Sequence, residues 1–144
     1  MVGQRRGEPN ISSEPRTIVL VEDEFLIRIA LADDLTEAGF VVLQAYNASQ
    51  GLEVLQNSMR VDLLITDIRM PGAMDGLALA RYARATWPRM KIMVISGNLS
   101  DLPADAAADA TVEKPYIPAA VIARVEQLLS ETAAAPIPSS THAP

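Results

Sequence analysis

The sequence predicts an α/β fold in which one parallel five-stranded sheet carries helices on both faces. Two features of the chain predict the layering. Short apolar runs of strand length alternate with longer stretches whose apolar residues keep helical spacing, and Gly or Pro separates many of them. This alternation implies parallel strands joined by right-handed helical crossovers. A third feature concerns the ends of the strands. Carboxylates and a lysine follow them directly, at the edge where open α/β sheets bind ligands.

The first strand is Thr17 to Val21. A helix follows from about Glu24 to Ala38, with Ile27, Leu31, Leu35 and Ala38 on one face and Gly39 as its C-terminal cap. Phe40 to Leu43 is the second strand. Asn47 caps a second helix carrying Ala48, Gly51, Leu52 and Leu55. Asp62 to Thr66 is the third strand and ends against Asp67, ahead of Pro71 and Gly72. Asp75 caps a third helix that runs to about Thr86, where Pro88 stops it. Lys91 to Ile95 is the fourth strand. Residues 97 to 109 carry the weakest pattern: Leu102 to Ala108 suggests a short fourth helix, made marginal by Pro103 and the aspartates. Ala110 to Glu113 is the fifth strand. Pro118 opens the last helix at the position it favours, with Val121, Ile122, Val125, Leu128 and Leu129 inward. Five strands and five helices in about 115 residues fit the flavodoxin-like order 2-1-3-4-5 of a three-layer sandwich.

Composition supports one domain with a full core: 144 residues, 49% hydrophobic and 21% charged. Residues 1–15 read as a flexible arm, 16–131 as the folded domain and 132–144 as a disordered tail. A net charge of -6 argues against a nucleic-acid surface, which needs a basic patch. No apolar run is long enough to span a bilayer, and no secretory signal follows the N-terminal arginines, so a cytoplasmic location is expected. With no cysteine, disulfides and thiolate sites are excluded.

In the order 2-1-3-4-5 the first and third strands are neighbours. Glu22-Asp23 and Asp67 at their ends therefore become adjacent although 44 residues apart in the chain (67 − 23). Clustered carboxylates repel, each resists ionising, and a divalent cation relieves this; carboxylate oxygens with several waters suit Mg²⁺. Lys114-Pro115 after the fifth strand adds a cation of the protein's own. An aspartate after a strand can equally be a turn cap, and Glu22-Asp23 a solvated helix start. The convergence of three carboxylates and one lysine on strand ends favours a metal-assisted phosphoryl site.

The chain resembles the receiver domains of two-component response regulators. Val21-Glu22-Asp23-Glu24, Leu64-Ile65-Thr66-Asp67-Ile68-Arg69-Met70-Pro71-Gly72, Val94-Ile95-Ser96-Gly97 and Glu113-Lys114-Pro115-Tyr116 carry the resemblance, which covers roughly residues 16 to 130. It implies that Asp67 accepts a phosphoryl group as an acyl phosphate. It also implies that Asp23 and Asp67 ligate Mg²⁺ directly, Glu22 largely through water and Arg69 by its backbone carbonyl. Lys114 would neutralise the phosphoryl oxygens, Ser96 would donate its hydroxyl to one of them, and Pro115 would follow a cis bond. Arg69 and Asn98 occupy positions expected to tune the lifetime of the phosphoryl group.

The sequence also departs from that family. Thr111 stands where many members carry an aromatic ring, so the usual coupling between a moving Ser/Thr and a turning ring is in question. The weak fourth helix suggests a face that orders on phosphorylation. The expected protein is a stand-alone phosphoacceptor with no output domain and no enzyme activity beyond gaining and losing its own phosphoryl group. Its expected partners are a histidine kinase or histidine phosphotransfer protein and an unknown downstream protein, with homodimerisation left open. A phosphorylation-independent pseudo-receiver is the alternative. Arg69, at the position where haloacid-dehalogenase-like phosphatases need a second aspartate, argues against that class. Glu22-Asp23-Glu24 after the first strand argues against a flavin phosphate loop.

Overall fold

A computed structural model describes residues 14–104 and 106–134. Residues 1–13 of the expected arm, 135–144 of the expected tail, and Asp105 lie outside the described residues. The strands are β1 Thr17–Val21, β2 Val41–Ala45, β3 Leu63–Asp67, β4 Lys91–Ser96 and β5 Ala110–Glu113. The helices are α1 Phe25–Glu37, α2 Ala48–Asn57, α3 Gly76–Thr86 and α4 Pro118–Ala134. All five strands are parallel, in the order β2-β1-β3-β4-β5. This is the order read from the sequence.

The side-chain alternation of the strands divides the core into two layers. Ile18, Leu20, Leu63, Ile65, Met93 and Ile95 face α1 and α4, where Leu31, Leu35, Val125 and Leu128 meet them. Val19, Val21, Leu64, Ile92 and Val94 face the opposite side, against Leu55, Leu79, Ala80 and Ala83 of α2 and α3. Both faces of β3 are covered, and every residue from Leu63 to Asp67 is buried. That explains why its sequence is a continuous apolar run.

The caps follow the residue types. Asn47 Oδ1 accepts the Gln50 amide at 2.7 Å, and Asp75 Oδ1 accepts the Ala78 amide at 2.9 Å. Gly39, at φ 104°, ends α1 in the left-handed region where a side chain would be strained. Trp87 closes α3 and meets Tyr82 edge-on at 6.2 Å.

Three departures from the sequence reading exceed one residue. Among the described residues of Leu102 to Ala108 the expected fourth helix does not form; a 3₁₀ turn at Leu99–Asp101 precedes them. Asn98 starts that turn by accepting the Ser100 amide at 3.0 Å. Pro103 and the flanking aspartates leave too few helix-forming residues in sequence to repay nucleation. Among the described residues of this stretch, Leu102 and Ala108 pack on the core as partly buried neighbours. The second strand runs to Ala45, two residues beyond its expected end, because Gln44 and Ala45 still pair with Leu20 and Val21. The last helix continues to Ala134, into the stretch assigned to the tail; Ala133 and Ala134 are strong helix formers.

At the N-terminal pole of the sheet, Asp109 ties three elements together. It pairs with Arg84 of α3, accepts the Ile92 amide at 2.9 Å, and donates its own amide to Ile92 O at 2.7 Å. β5 is thereby fixed at its start without a helix preceding it. Register carries this order to the other pole, where Val21, Asp67, Ser96 and Glu113 end their strands side by side.

Candidate functional site

Among the described residues the buried polar side chains are Glu22, Thr66, Asp67 and Ser96. All four lie at or just past the C-terminal ends of β1, β3 and β4. Burying polar groups costs free energy unless partners satisfy them, so such a concentration marks a site rather than core filler.

The partners are specific. Lys114, the residue after β5, places Nζ 2.8 Å from Asp67 Oδ2 and 3.1 Å from Glu22 Oε1. Glu24 Oε1 is 3.9 Å away on the exposed side. Glu22 accepts the Glu24 amide at 3.0 Å on its other oxygen, and its backbone carbonyl accepts from Arg28 Nη1 at 3.0 Å. Arg28 also donates Nε to Gln44 Oε1 at 3.2 Å and lies over the Phe25 ring. The loop after β1 is therefore held from α1 and β2 as well as by Lys114. The Lys114 amide donates to Ser96 O at 2.8 Å, which carries the lysine across the end of β4. Lys114-Pro115 is cis, as the resemblance implied.

Oxygens of Glu22, Asp23 and Asp67 all lie within 4.8 Å of one another. Two of these carboxylates are buried and Asp23 is exposed, so the cluster opens to solvent on one side. Hard carboxylate oxygens with room for waters suit a small divalent cation.

The electrostatics follow from this packing. Burial raises the Glu22 carboxyl, the Glu24 amide opposes that shift, and the Asp67 charge adds to it. Burial alone would lower Lys114, but its hydrogen bond to Asp67, the Asp67 charge and then Glu22 raise it from 10.5 to about 12. Burial, and next the Glu22 charge, raises the Tyr116 phenol. A lysine raised by folding contributes stability that is complete below 10.5 and is lost as pH rises through about 12. In EDTA, wild type should therefore lose stability relative to Lys114→Met across that window, by less than the full shift implies because solvent screens the pair. Denaturant melts of the two proteins test this; a difference between them that does not change with pH would contradict it.

The other residues singled out in the sequence are placed less centrally. Ser96 is buried at the end of β4, but its hydroxyl is already used. It donates to Asn98 O and accepts the Asn98 amide, both at 3.0 Å. Asn98 is exposed, and its side chain accepts from both the amide and the hydroxyl of Ser100. Arg69 is exposed in the loop after β3, beside a groove lined by Met70, Pro71 and Leu77. Thr111 is exposed on β5, opposite Val94. Two participants escaped the sequence reading. Glu24, for which the sequence suggests no role at the lysine, lies 3.9 Å from Lys114 Nζ. Gly76 starts α3, and its amide donates to Ile68 O at 2.8 Å, one residue past Asp67. Its only sequence signal is the Asp-Gly pair at the helix start.

A five-stranded parallel sheet with an acidic triad and a lysine at its C-terminal edge is the arrangement of a receiver domain. The sequence profile of the response regulator receiver domain matches residues 18–126. Response regulator MprA of Mycobacterium ulcerans is 32% identical over 119 residues, which are 80% of this chain and 50% of that protein. A response regulator receiver protein of Sinorhizobium medicae is 33% identical at TM-score 0.73, over 83% of this chain and 98% of that one. The response regulator TrrA of Thermotoga maritima, solved in complex with Mg²⁺-BeF, is 31% identical at TM-score 0.71, over 78% of this chain and 98% of that one. The chain belongs to the response regulator receiver domain family of two-component signalling. It spans about half the length of curated regulators such as MprA, and 10% of the sensor kinase CckA of Brucella abortus, to which it is 36% identical over 96 residues. Among the described residues no helix is long and apolar enough to cross a membrane.

Proposed function

We propose that Asp67 accepts a phosphoryl group from a phosphohistidine of a histidine kinase or phosphotransfer protein. We further propose that this receiver domain acts in the cytoplasm, through contact with a downstream protein or domain. The observation that supports this most is the Asp67 carboxylate, buried yet held 2.8 Å from Lys114 Nζ within a cluster of carboxylates. In the transfer an Asp67 oxygen bonds to phosphorus, the phosphorus–nitrogen bond breaks, and the imidazole leaves with the electron pair. Lys114 already touches Asp67, so its ammonium can follow the negative charge onto the phosphoryl oxygens. Ser96 can serve one of those oxygens by exchanging its bond to Asn98 O for the new acceptor. Arg69 and Asn98, flanking these two residues, set how readily water reaches the acyl phosphate.

The donor set fits Mg²⁺, which Glu22, Asp23 and Asp67 would hold together with the Arg69 carbonyl. Bound there, it would supply positive charge to the attacking and transferring oxygens. The complex of TrrA with Mg²⁺-BeF supports this choice of ion. A protein donor is supported by the groove of about 610 Å³ beside Lys114, lined by Leu26, Ile27, Ala30, Pro115 and Tyr116. Leu26 of this lining and Ile117, between Tyr116 and Pro118 in the chain, are 78% and 70% exposed, apolar surface that a docked helix would cover. The chain's own chemistry is confined to gaining and losing the phosphoryl group.

Incubation with acetyl phosphate and Mg²⁺ tests the reading. Wild type should gain one phosphoryl group and Asp67→Asn none. No gain from acetyl phosphate or from a phosphorylated kinase would favour a phosphorylation-independent interaction module.

A further inference from the structure

We infer that Gly76, together with the Thr66 hydroxyl, is a positioning element that fixes the main chain of the phosphoacceptor Asp67; this rests on the proposed role of Asp67. Gly76 is the first residue of α3 and is buried. A Cβ added there would lie 1.6 Å from Asp67 O, 2.7 Å from Asp67 C and 2.9 Å from Thr66 Oγ1. The obstacle is backbone, not the end of a flexible side chain, so any side chain at position 76 must push α3 and the end of β3 apart. The carbonyl that approaches Gly76 is also an acceptor, taking the Thr66 hydroxyl at 2.9 Å. The Gly76 amide donates to Ile68 O at 2.8 Å, and the Ile68 amide donates to Ile95 O at 3.0 Å. The Asp67 peptide is therefore confined from α3, from its own preceding residue and from β4.

The confinement has a consequence for chemistry. The Asp67 carboxylate must lie near both Lys114 Nζ and the oxygens of Glu22 and Asp23. A shift of the order of 1 Å in the Asp67 main chain breaks one of these relations, and displacements of that size cost rate out of proportion to their energy. Gly76 touches no reacting atom and acts only through Asp67. The other tight glycine contact is softer. At Gly51 a Cβ would first meet a Val21 methyl at 2.7 Å, a side chain that can give.

The test compares Gly76→Ala with Val125→Ala, a substitution on α4 in the core layer across the sheet from α3. Two quantities are read well below each protein's melting temperature: Mg²⁺ affinity by calorimetry, and phosphorylation rate from acetyl phosphate. Gly76→Ala should weaken Mg²⁺ binding and slow phosphorylation by roughly tenfold or more, while Val125→Ala leaves both near wild type. A folded Gly76→Ala with wild-type affinity and rate would overturn the inference, as would equal losses in Val125→Ala. If Gly76→Ala does not fold, Thr66→Val removes the hydroxyl while keeping the shape of the side chain. Its phosphorylation should fall severalfold, and an unchanged rate would overturn the inference. If wild type binds Mg²⁺ but takes no phosphoryl group, the proposed function is wrong while the affinity comparison still decides the role of Gly76.

Discussion

Lys114→Gln is expected to slow phosphoryl acceptance from acetyl phosphate by roughly a hundredfold, the usual effect of removing one preorganised charge donor from a transition state. The same substitution should leave Mg²⁺ binding intact or make it tighter. Lys114 Nζ lies against Asp67 and Glu22, two of the three carboxylates that would hold the ion. Its ammonium therefore competes with an incoming cation for the same oxygens. Removing it leaves those oxygens repelling one another, a repulsion that a divalent ion relieves. A stopped-flow rate near wild type would show that Lys114 serves structure alone. Mg²⁺ affinity falling with the rate would show that the lysine shapes the metal site instead of competing with it.

Leu128→Ala is expected to cost about 2–5 kcal/mol of stability, the range for emptying a packed leucine site. Leu128 is fully buried on α4, among Ile18, Leu35 and Val125. In a domain of this size the loss should lower the melting temperature by roughly 10 °C or more, read by circular dichroism. The phosphorylation rate well below that temperature should stay near wild type, because the side chain belongs to the layer beneath the site. A small stability change would mean that α4 repacks over the vacancy.

Much of the fold was legible because its physics is local. Runs such as Ile18 to Val21 and Leu63 to Ile65 are apolar throughout, as expected of strands covered on both faces. Asn47, Asp75 and Pro118 signalled helix starts through their own hydrogen-bonding and φ preferences. The site was legible for a topological reason: a sheet in which β1 and β3 are neighbours brings Glu22-Asp23 and Asp67 together whatever the loops do. The segment after β4 was read less well. The Ala-rich stretch around Ala106 to Ala108 favours a helix, but Pro103 and Asp109, which is engaged with Arg84 and the Ile92 amide, hold the ends in other conformations.

What the sequence hid depends on distances between elements. That Glu24 would sit within 4 Å of Lys114 follows from the entry of α1, which is set by Arg28 reaching both Glu22 O and Gln44. That the Ser96 hydroxyl would be occupied by Asn98 follows from the tight turn after β4. The approach of Gly76 to Asp67 follows from how α3 leaves the loop. None of these leaves a periodic or compositional trace, because each concerns one atom meeting another across the fold.

The most direct test of the central claim is intact-protein mass after incubation with acetyl phosphate and Mg²⁺, with Asp67→Asn in parallel. A gain of one phosphoryl group in wild type, absent from Asp67→Asn and abolished by EDTA, is the predicted result. A gain of the same size in Asp67→Asn would contradict the assignment of the acceptor.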